Sequence, residues 1–273
     1  MLRPGRRSGV AAGWKARAPG FWVVSPPLAR QAITMPEPKR RLPRPPYNPG
    51  VRDLVEGKRA WDARANPADQ RAGFQGWHER GYLPHRDSAG LTQFITYHLA
   101  DAFPAELLGE WGALLKLEDE RERRKELEGY LDRGRGECWL RRADIAEVCE
   151  NAFRYFHGER YELKAWCLMP NHVHVLALVT SVPMANFVNS WKGYTGRRCN
   201  EILRRKGSSF WADDYWDTYM RDSEQECRSV RYIENNPVKA GFVAFAKDWA
   251  WSSARFRDEY GALRVPALER TKD

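Results

Sequence analysis

The stretch from Tyr161 to Val179 constrains this chain most. Two apolar, β-rich runs at about 161–168 and 173–179 flank the Pro170-Asn171 turn, the pattern of an antiparallel hairpin. Side chains alternate across a strand, so His172 and His174, separated by Val173, project from one face. Two imidazoles so placed form half of a site for a divalent ion. Six histidines in 273 residues would give roughly 0.13 His-x-His pairs by chance, so the pair needs its context.

That context comes further along, in Val230-Arg231-Tyr232-Ile233-Glu234-Asn235-Asn236-Pro237. If this segment is helical, Tyr232 and Asn236 stand four apart on one face, with Cβ atoms about 5–6 Å from each other. A tyrosine there can act as a nucleophile. A neutral asparagine oxygen can be a third ligand, leaving positions open for phosphate oxygens and water. Hard oxygen beside two nitrogens points to Mg²⁺ or Mn²⁺ more than to a closed structural zinc site. The helix is expected over Glu224–Asn235, stopped by Pro237, because a residue before proline is biased away from helical geometry. Tyr194 is the rival nucleophile, but four residues beyond it stands Arg198, a cation that cannot ligate a metal.

The net charge of +9 suggests nucleic acid, yet its placement changes that argument. Residues 1–50 hold ten Lys/Arg against one Asp/Glu, so the tail carries the whole excess. Its Arg, Gly, Ala and Pro composition cannot bury enough surface to fold, and Met35 is a candidate true start. Beyond it, residues 192–206 carry +5 through Lys192, Arg197, Arg198, Arg204, Arg205 and Lys206 against Glu201. This is the expected phosphate-facing surface. The run Phe210–Met220 alternates aromatics with carboxylates. Trp211 is the candidate for stacking an unpaired base, and Arg221 and Lys239 are further candidate backbone contacts.

Five cysteines with no CxxC spacing signal neither a disulfide framework nor a zinc knuckle. A reducing cytoplasm is the expected compartment, nucleoid-associated if DNA is the partner. No apolar run approaches a membrane span. Other elements expected are a loop over Trp77–Asp87, a strand over Leu91–Leu99, and a charged helical insert at about 104–135 presenting a solvated face. Helices follow over Ala143–Phe156 and about 184–205, and Trp249–Ala254 closes the domain. His98 is expected to be solvent-side or internally satisfied. Domain limits are expected at 1–76 for the extension and linker, 77–260 for the catalytic domain and 261–273 for a tail.

The runs MPNHVHVL, VRYIENNPVKAGFV and DWAWSSA, in that order, resemble the REP-associated tyrosine transposases, a single-tyrosine branch of the HUH endonucleases. The resemblance spans about Gly81 to Phe256. It implies an α+β, ferredoxin-like or RRM-like core, an antiparallel sheet with helices packed on one face. It also implies His172 and His174 as the metal-binding histidines, Tyr232 as nucleophile and Asn236 as the polar ligand one turn beyond. Such enzymes cleave and join single-stranded DNA beside imperfect hairpins through a 5′-phosphotyrosine, as monomer or homodimer, without a nucleotide cofactor. The competing readings are a catalytically silent nucleic-acid-binding regulator on the same fold and a metal-dependent hydrolase.

Overall fold

A computed structural model of the protein describes residues 67–79, 84–103, 120–213 and 215–268, all within one compact unit, Arg44–Asp273. The basic extension, Met35 and the first half of the charged insert lie outside the described residues. In chain order the elements are α1 (Pro67–Arg71), β1 (Gly76–Glu79), β2 (Pro84–Asp87), β3 (Thr92–His98), α2 (Glu120–Leu131) and α3 (Ala143–Tyr155). Then come β4 (Tyr161–Leu168), β5 (His172–Val179), α4 (Met184–Ile202), β6 (Trp216–Tyr219) and α5 (Ser223–Lys239).

Four strands form an antiparallel sheet in the order β4-β5-β3-β6. With β3 and β5 central and helical crossovers leading to β4 and β6, this is the ferredoxin-like arrangement, so the expected α+β class is observed, but helices lie on both faces of the sheet and not on one. One face of the sheet, with Ile95, Tyr97, Trp166, Leu168, Val173 and Val175, packs against Phe153 of α3 and Phe187, Val188 and Trp191 of α4. Each large side chain buried there contributes about 1.5–3 kcal/mol.

A register shift in β4 keeps that core intact. Leu163 pairs with Ala177 but Ala165 with Leu176, so Lys164 is an extra residue. Had the alternation run unbroken through Lys164, Trp166 and Leu168 would lie on the opposite face.

That opposite face carries Phe94, Ala165, Cys167 and Leu176, which pack with Ile233, Val230 and Tyr232 of α5. β3 is buried along its whole length, with α5 over Phe94 on this face and Phe103 and Trp216 over His98. α5 is capped by Asp222, whose side chain accepts from Gln225 N at 2.7 Å, while Gln225 Oε1 accepts from Arg221 N. It does not stop at Asn235 as expected: Pro237 lies inside it, and Ala240 N still donates to Asn236 O. Tertiary packing of Ile233 and Pro237, both buried, outweighs the missing proline donor.

The closing motif holds α5 to the edge strand. Leu168 N donates to Trp251 O, Trp249 Nε1 donates to Leu168 O, and Ser252 bridges Cys167. Ser253 Oγ accepts from Trp166 N at 3.0 Å and donates to Glu234 Oε1 at 2.6 Å. Arg257 completes the clamp, with Nε 2.8 Å from Glu234 and one terminal amino group 2.9 Å from Lys164 O.

Two further expectations are corrected. The Trp77–Asp87 segment is not simply a loop: β1 and β2 pair antiparallel from Gly76↔Asp87 to Glu79↔Pro84. Ladder bonds are made by the backbone, so the charged, non-alternating side chains gave no sign of them. The later half of the insert is more than a solvated face, since α2 buries Leu127, Tyr130 and Leu131, and Tyr130 stacks on Phe103 at 4.9 Å.

Candidate active site

The site lies on the sheet face beneath α5. Cross-strand register sets Thr96 opposite His174 and His98 opposite His172, so three histidines share this face. All three are buried. His172 Nε2 and His174 Nε2 converge to 3.1 Å, leaving each Nδ1 turned outward to a support. Asn171 Nδ2 donates to Arg135 O at 3.0 Å, which orients the amide so that Asn171 Oδ1 accepts from His172 Nδ1–H at 2.8 Å. That assigns the proton of His172 to Nδ1 and the lone pair to Nε2. His174 Nδ1 lies 2.8 Å from Thr96 Oγ1. Burial, then the neighbouring rings of His174 and His98, drives the His172 pKa well below that of a free imidazole, so it is held neutral, the form that ligates metal.

Tyr232 comes to this pair from α5. Its ring meets His174 edge-on at 5.8 Å between centroids and Phe94 at 6.0 Å. One turn beyond, Asn236 is buried, and both its Oδ1 and Nδ2 lack a hydrogen-bond partner among the described residues. A buried amide left unsatisfied at both ends costs about 1–3 kcal/mol per group, and a cation that took its oxygen would remove part of that cost. Among the described residues no three His, Cys, Asp or Glu side chains are gathered as a ready-made cage. The donor set is two imidazoles and an amide oxygen, which suits a cation that keeps open positions.

Two carboxylates from α2 and its end join the site, and sequence reasoning missed both. Tyr232 Oη donates to Glu128 Oε2 at 2.8 Å. Asp132 Oδ1, buried and without a hydrogen-bond partner among the described residues, stands 3.9 Å from His172 Nε2. Burial raises the Asp132 pKa, opposed by Lys239, whose Nζ is 3.6 Å from Oδ2. Lys239 also lies over the Tyr232 ring at 5.8 Å from the centroid. Asn171 and Thr96 were missed as well. A polar residue buried at mid-strand was the available signal for Thr96, and adjacency to His172 for Asn171. Nothing in the sequence separates Glu128 or Asp132 from the charges around them.

His98 is not solvent-side. Its Nδ1 is 2.8 Å from Leu99 O, its ring stacks on Trp216 at 5.4 Å, and burial lowers its pKa to about 4.

The predicted DNA contacts divide. Trp211 is corrected: it is 5% exposed, its Nε1 donates to Thr195 Oγ1 at 2.8 Å, and it packs edge-on against Tyr97, so it cannot stack a base without unpacking the core. Lys192 Nζ is engaged by Asp213 O at 2.8 Å. Arg197 and Arg221 are exposed, as is Arg198, which pairs with Glu201. Arg205 lies over Trp139 at 5.8 Å, and Leu140 N bonds Pro170 O, so the 204–206 turn stands at the His172 end of the sheet. Tyr194 is exposed on α4, on the far side of the sheet from the histidine pair.

The fold is an α+β, ferredoxin-like sheet whose paired histidines lie beneath a tyrosine-bearing helix. Residues 138–236 match the family described as Transposase IS200 like. The chain is 26% identical over 103 residues to a Haemophilus influenzae protein provisionally described as a REP-associated tyrosine transposase, covering 34% of this chain and 58% of that one. It is 25% identical over 95 residues to the REP-associated tyrosine transposase of Escherichia coli K12, covering 34% and 54%. The chain thus spans just over half the length of these curated relatives. A solved REP-associated tyrosine transposase bound to a REP hairpin superposes distantly, with TM-score 0.36, 19% identity, and coverage of 66% of this chain and 84% of that one. The likeness to REP-associated tyrosine transposases read from the sequence is supported by these two curated relatives, and the segment that matches the Transposase IS200 like family contains His172, His174, Tyr232 and Asn236.

Proposed function

We propose that this chain nicks and rejoins single-stranded DNA beside imperfect hairpins, as a transposase-type strand transferase using Tyr232 as nucleophile. The observation that carries this reading is the packing of the Tyr232 ring against His174 on the face where the two ε nitrogens converge. Asn236, unsatisfied and one turn beyond, supports it.

His172, His174 and Asn236 would hold Mg²⁺ or Mn²⁺. When bound, that ion supplies charge neutralisation and polarisation at the scissile phosphate. Asn171 and Thr96 fix the imidazoles, and burial keeps His172 neutral. Tyr232 Oη attacks the phosphorus, an O–P bond forms, and the bond to the upstream 3′ oxygen breaks. That oxygen takes a proton and leaves as a 3′-hydroxyl. The phosphotyrosine keeps the bond energy, and attack by a 3′-hydroxyl in the reverse sense joins a strand. Arg197, Arg198, Arg221 and the 204–206 turn are the proposed phosphate contacts, so DNA affinity should fall steeply with salt. The proposed DNA partner is a single strand carrying an imperfect hairpin.

A hairpin-bearing single strand labelled at its 3′ end, incubated with the protein and Mn²⁺, should yield a labelled band that survives denaturation. Tyr232→Phe should abolish it and Tyr194→Phe should leave it. An adduct that persists in Y232F and is lost in Y194F refutes the assignment of the nucleophile. Hairpin binding without an adduct under every divalent metal would favour the regulator.

A further inference from the structure

We propose that Glu128 takes the phenolic proton of Tyr232, making α2 a working part of the catalytic centre. The inference rests on the transferase reading above and adds the proton acceptor that it leaves unnamed. Phenols ionise near pH 10, so a tyrosine nucleophile at neutral pH needs an acceptor in place when the O–P bond forms. Tyr232 Oη already donates to Glu128 Oε2 at 2.8 Å, within the reach required of a general base. The contact joins residues 104 positions apart, so it is a product of the fold and not of local sequence.

The placement is built rather than incidental. Leu127, Tyr130 and Leu131 anchor α2 in the core, and Tyr130 stacks on Phe103, which meets His98 edge-on at 4.8 Å. Glu128 is thereby set over the phenol while its neighbours Glu126 and Gly129 face solvent. Lys239 lies over the Tyr232 ring, 5.8 Å from its centroid, and pairs with Asp132 at 3.6 Å. α2 lies outside the stretch, 138–236, that matches the transposase family.

The step balances as follows. Glu128 Oε2 receives the proton as Tyr232 Oη bonds to phosphorus, and the departing 3′ oxygen is protonated by water. In the joining direction the 3′-hydroxyl gives up its proton to water, and Glu128 returns its own to the tyrosine oxygen as the O–P bond breaks.

The test is the single-turnover rate of adduct formation with Mn²⁺ and hairpin DNA. Glu128→Gln preserves shape and can still accept a hydrogen bond, but is a far weaker base. It should slow the adduct by about 10²–10³-fold, with hairpin affinity changed by less than about twofold, which also reports that it folds. Glu128→Asp should retain more of the rate than E128Q. A ring-fluorinated tyrosine at position 232, whose phenol ionises more readily, should raise the rate of E128Q at least about tenfold relative to its effect in the wild type. An undiminished rate in E128Q overturns this proposal alone. So does a slow E128Q that the fluorinated phenol fails to help, since Glu128 would then only position the ring. A wild-type chain that forms no adduct on any hairpin strand overturns the transferase reading and this one together.

Discussion

Tyr232 and Asn236 are one helical turn apart on α5, and the chain keeps them so by carrying the helix through Pro237 to Lys239. Had the helix ended before the proline, the amide would have left the face that the phenol occupies. Ile233, between them, is buried against Phe94, Ala165, Cys167 and Leu176, which fixes the rotation of α5 over the sheet.

Because neither amide atom of Asn236 has a partner among the described residues, Asn236→Ala breaks no side-chain hydrogen bond there. Relief of the unsatisfied groups, about 1–3 kcal/mol, should roughly offset the cavity left behind. The expected result is a urea midpoint near that of the wild type without metal, and a loss of most Mn²⁺-induced stabilisation. A destabilisation of several kcal/mol without metal, with Mn²⁺ stabilisation retained, would show Asn236 to be a structural residue.

Asn171 fixes the protonation of His172. Asn171→Ala removes the acceptor of His172 Nδ1–H and frees Arg135 O, so the ring loses both orientation and tautomer. Mn²⁺ affinity by calorimetry should fall by about 10–100-fold. Asn171→Asp retains an acceptor for the imidazole and should lose less. Equal losses in the two variants would point to the 134–138 loop instead of the tautomer.

What the sequence made legible followed from periodicity. β3, β4, β5, α3 and α4 emerged close to their observed bounds because alternation or helical spacing marks a buried face. β6 did not: its four residues are all half-buried, so they show no alternation. The extra residue at Lys164 reverses the parity of β4 midway, which no alternation rule anticipates. Trp211 looked available because aromatics alternate with carboxylates around it, yet Thr195, on a helix that sequence spacing could not pair with it, holds its indole. Glu128 and Asp132 were hidden for a related reason. In a helix dense with charge, only the fold distinguishes the carboxylate that meets Tyr232 from those that meet water.

Acid should weaken the metal-free protein through its buried histidines. His98 is lowered from 6.5 to about 4 by burial, so between those values the unfolded chain holds a proton that the native chain does not. More protons bound in the unfolded state means that stability falls as pH falls. The contribution is intact above pH 6.5 and declines toward pH 4, by up to about 3 kcal/mol from His98 alone. The lowered His172 adds a loss of the same sign. Urea midpoints at pH 7 and pH 4.5 measure the slope, and His98→Phe, which can keep the stack on Trp216, should flatten it. An unchanged slope in H98F would show that other groups set the acid sensitivity.

Ser253 couples the closing motif to the nucleophile's helix. Its hydroxyl accepts from Trp166 N in β4 and donates to Glu234 on α5, two residues beyond Tyr232, and all three groups are buried. Ser253→Ala leaves the Trp166 amide without that acceptor, at a cost of about 1–3 kcal/mol. Glu234→Ala should cost more, about 3–5 kcal/mol, because Arg257 would remain largely buried without its carboxylate. Both changes loosen the seat of α5 without touching a proposed ligand, so the Tyr232 adduct should form more slowly while Mn²⁺ still binds. Glu234→Gln, which can keep the bond to Ser253 but not the charge against Arg257, should fall between them. If S253A and E234A lose stability as expected but form the adduct at the wild-type rate, α5 holds its position through the apolar contacts of Ile233 and Val230, and the clamp serves only the fold.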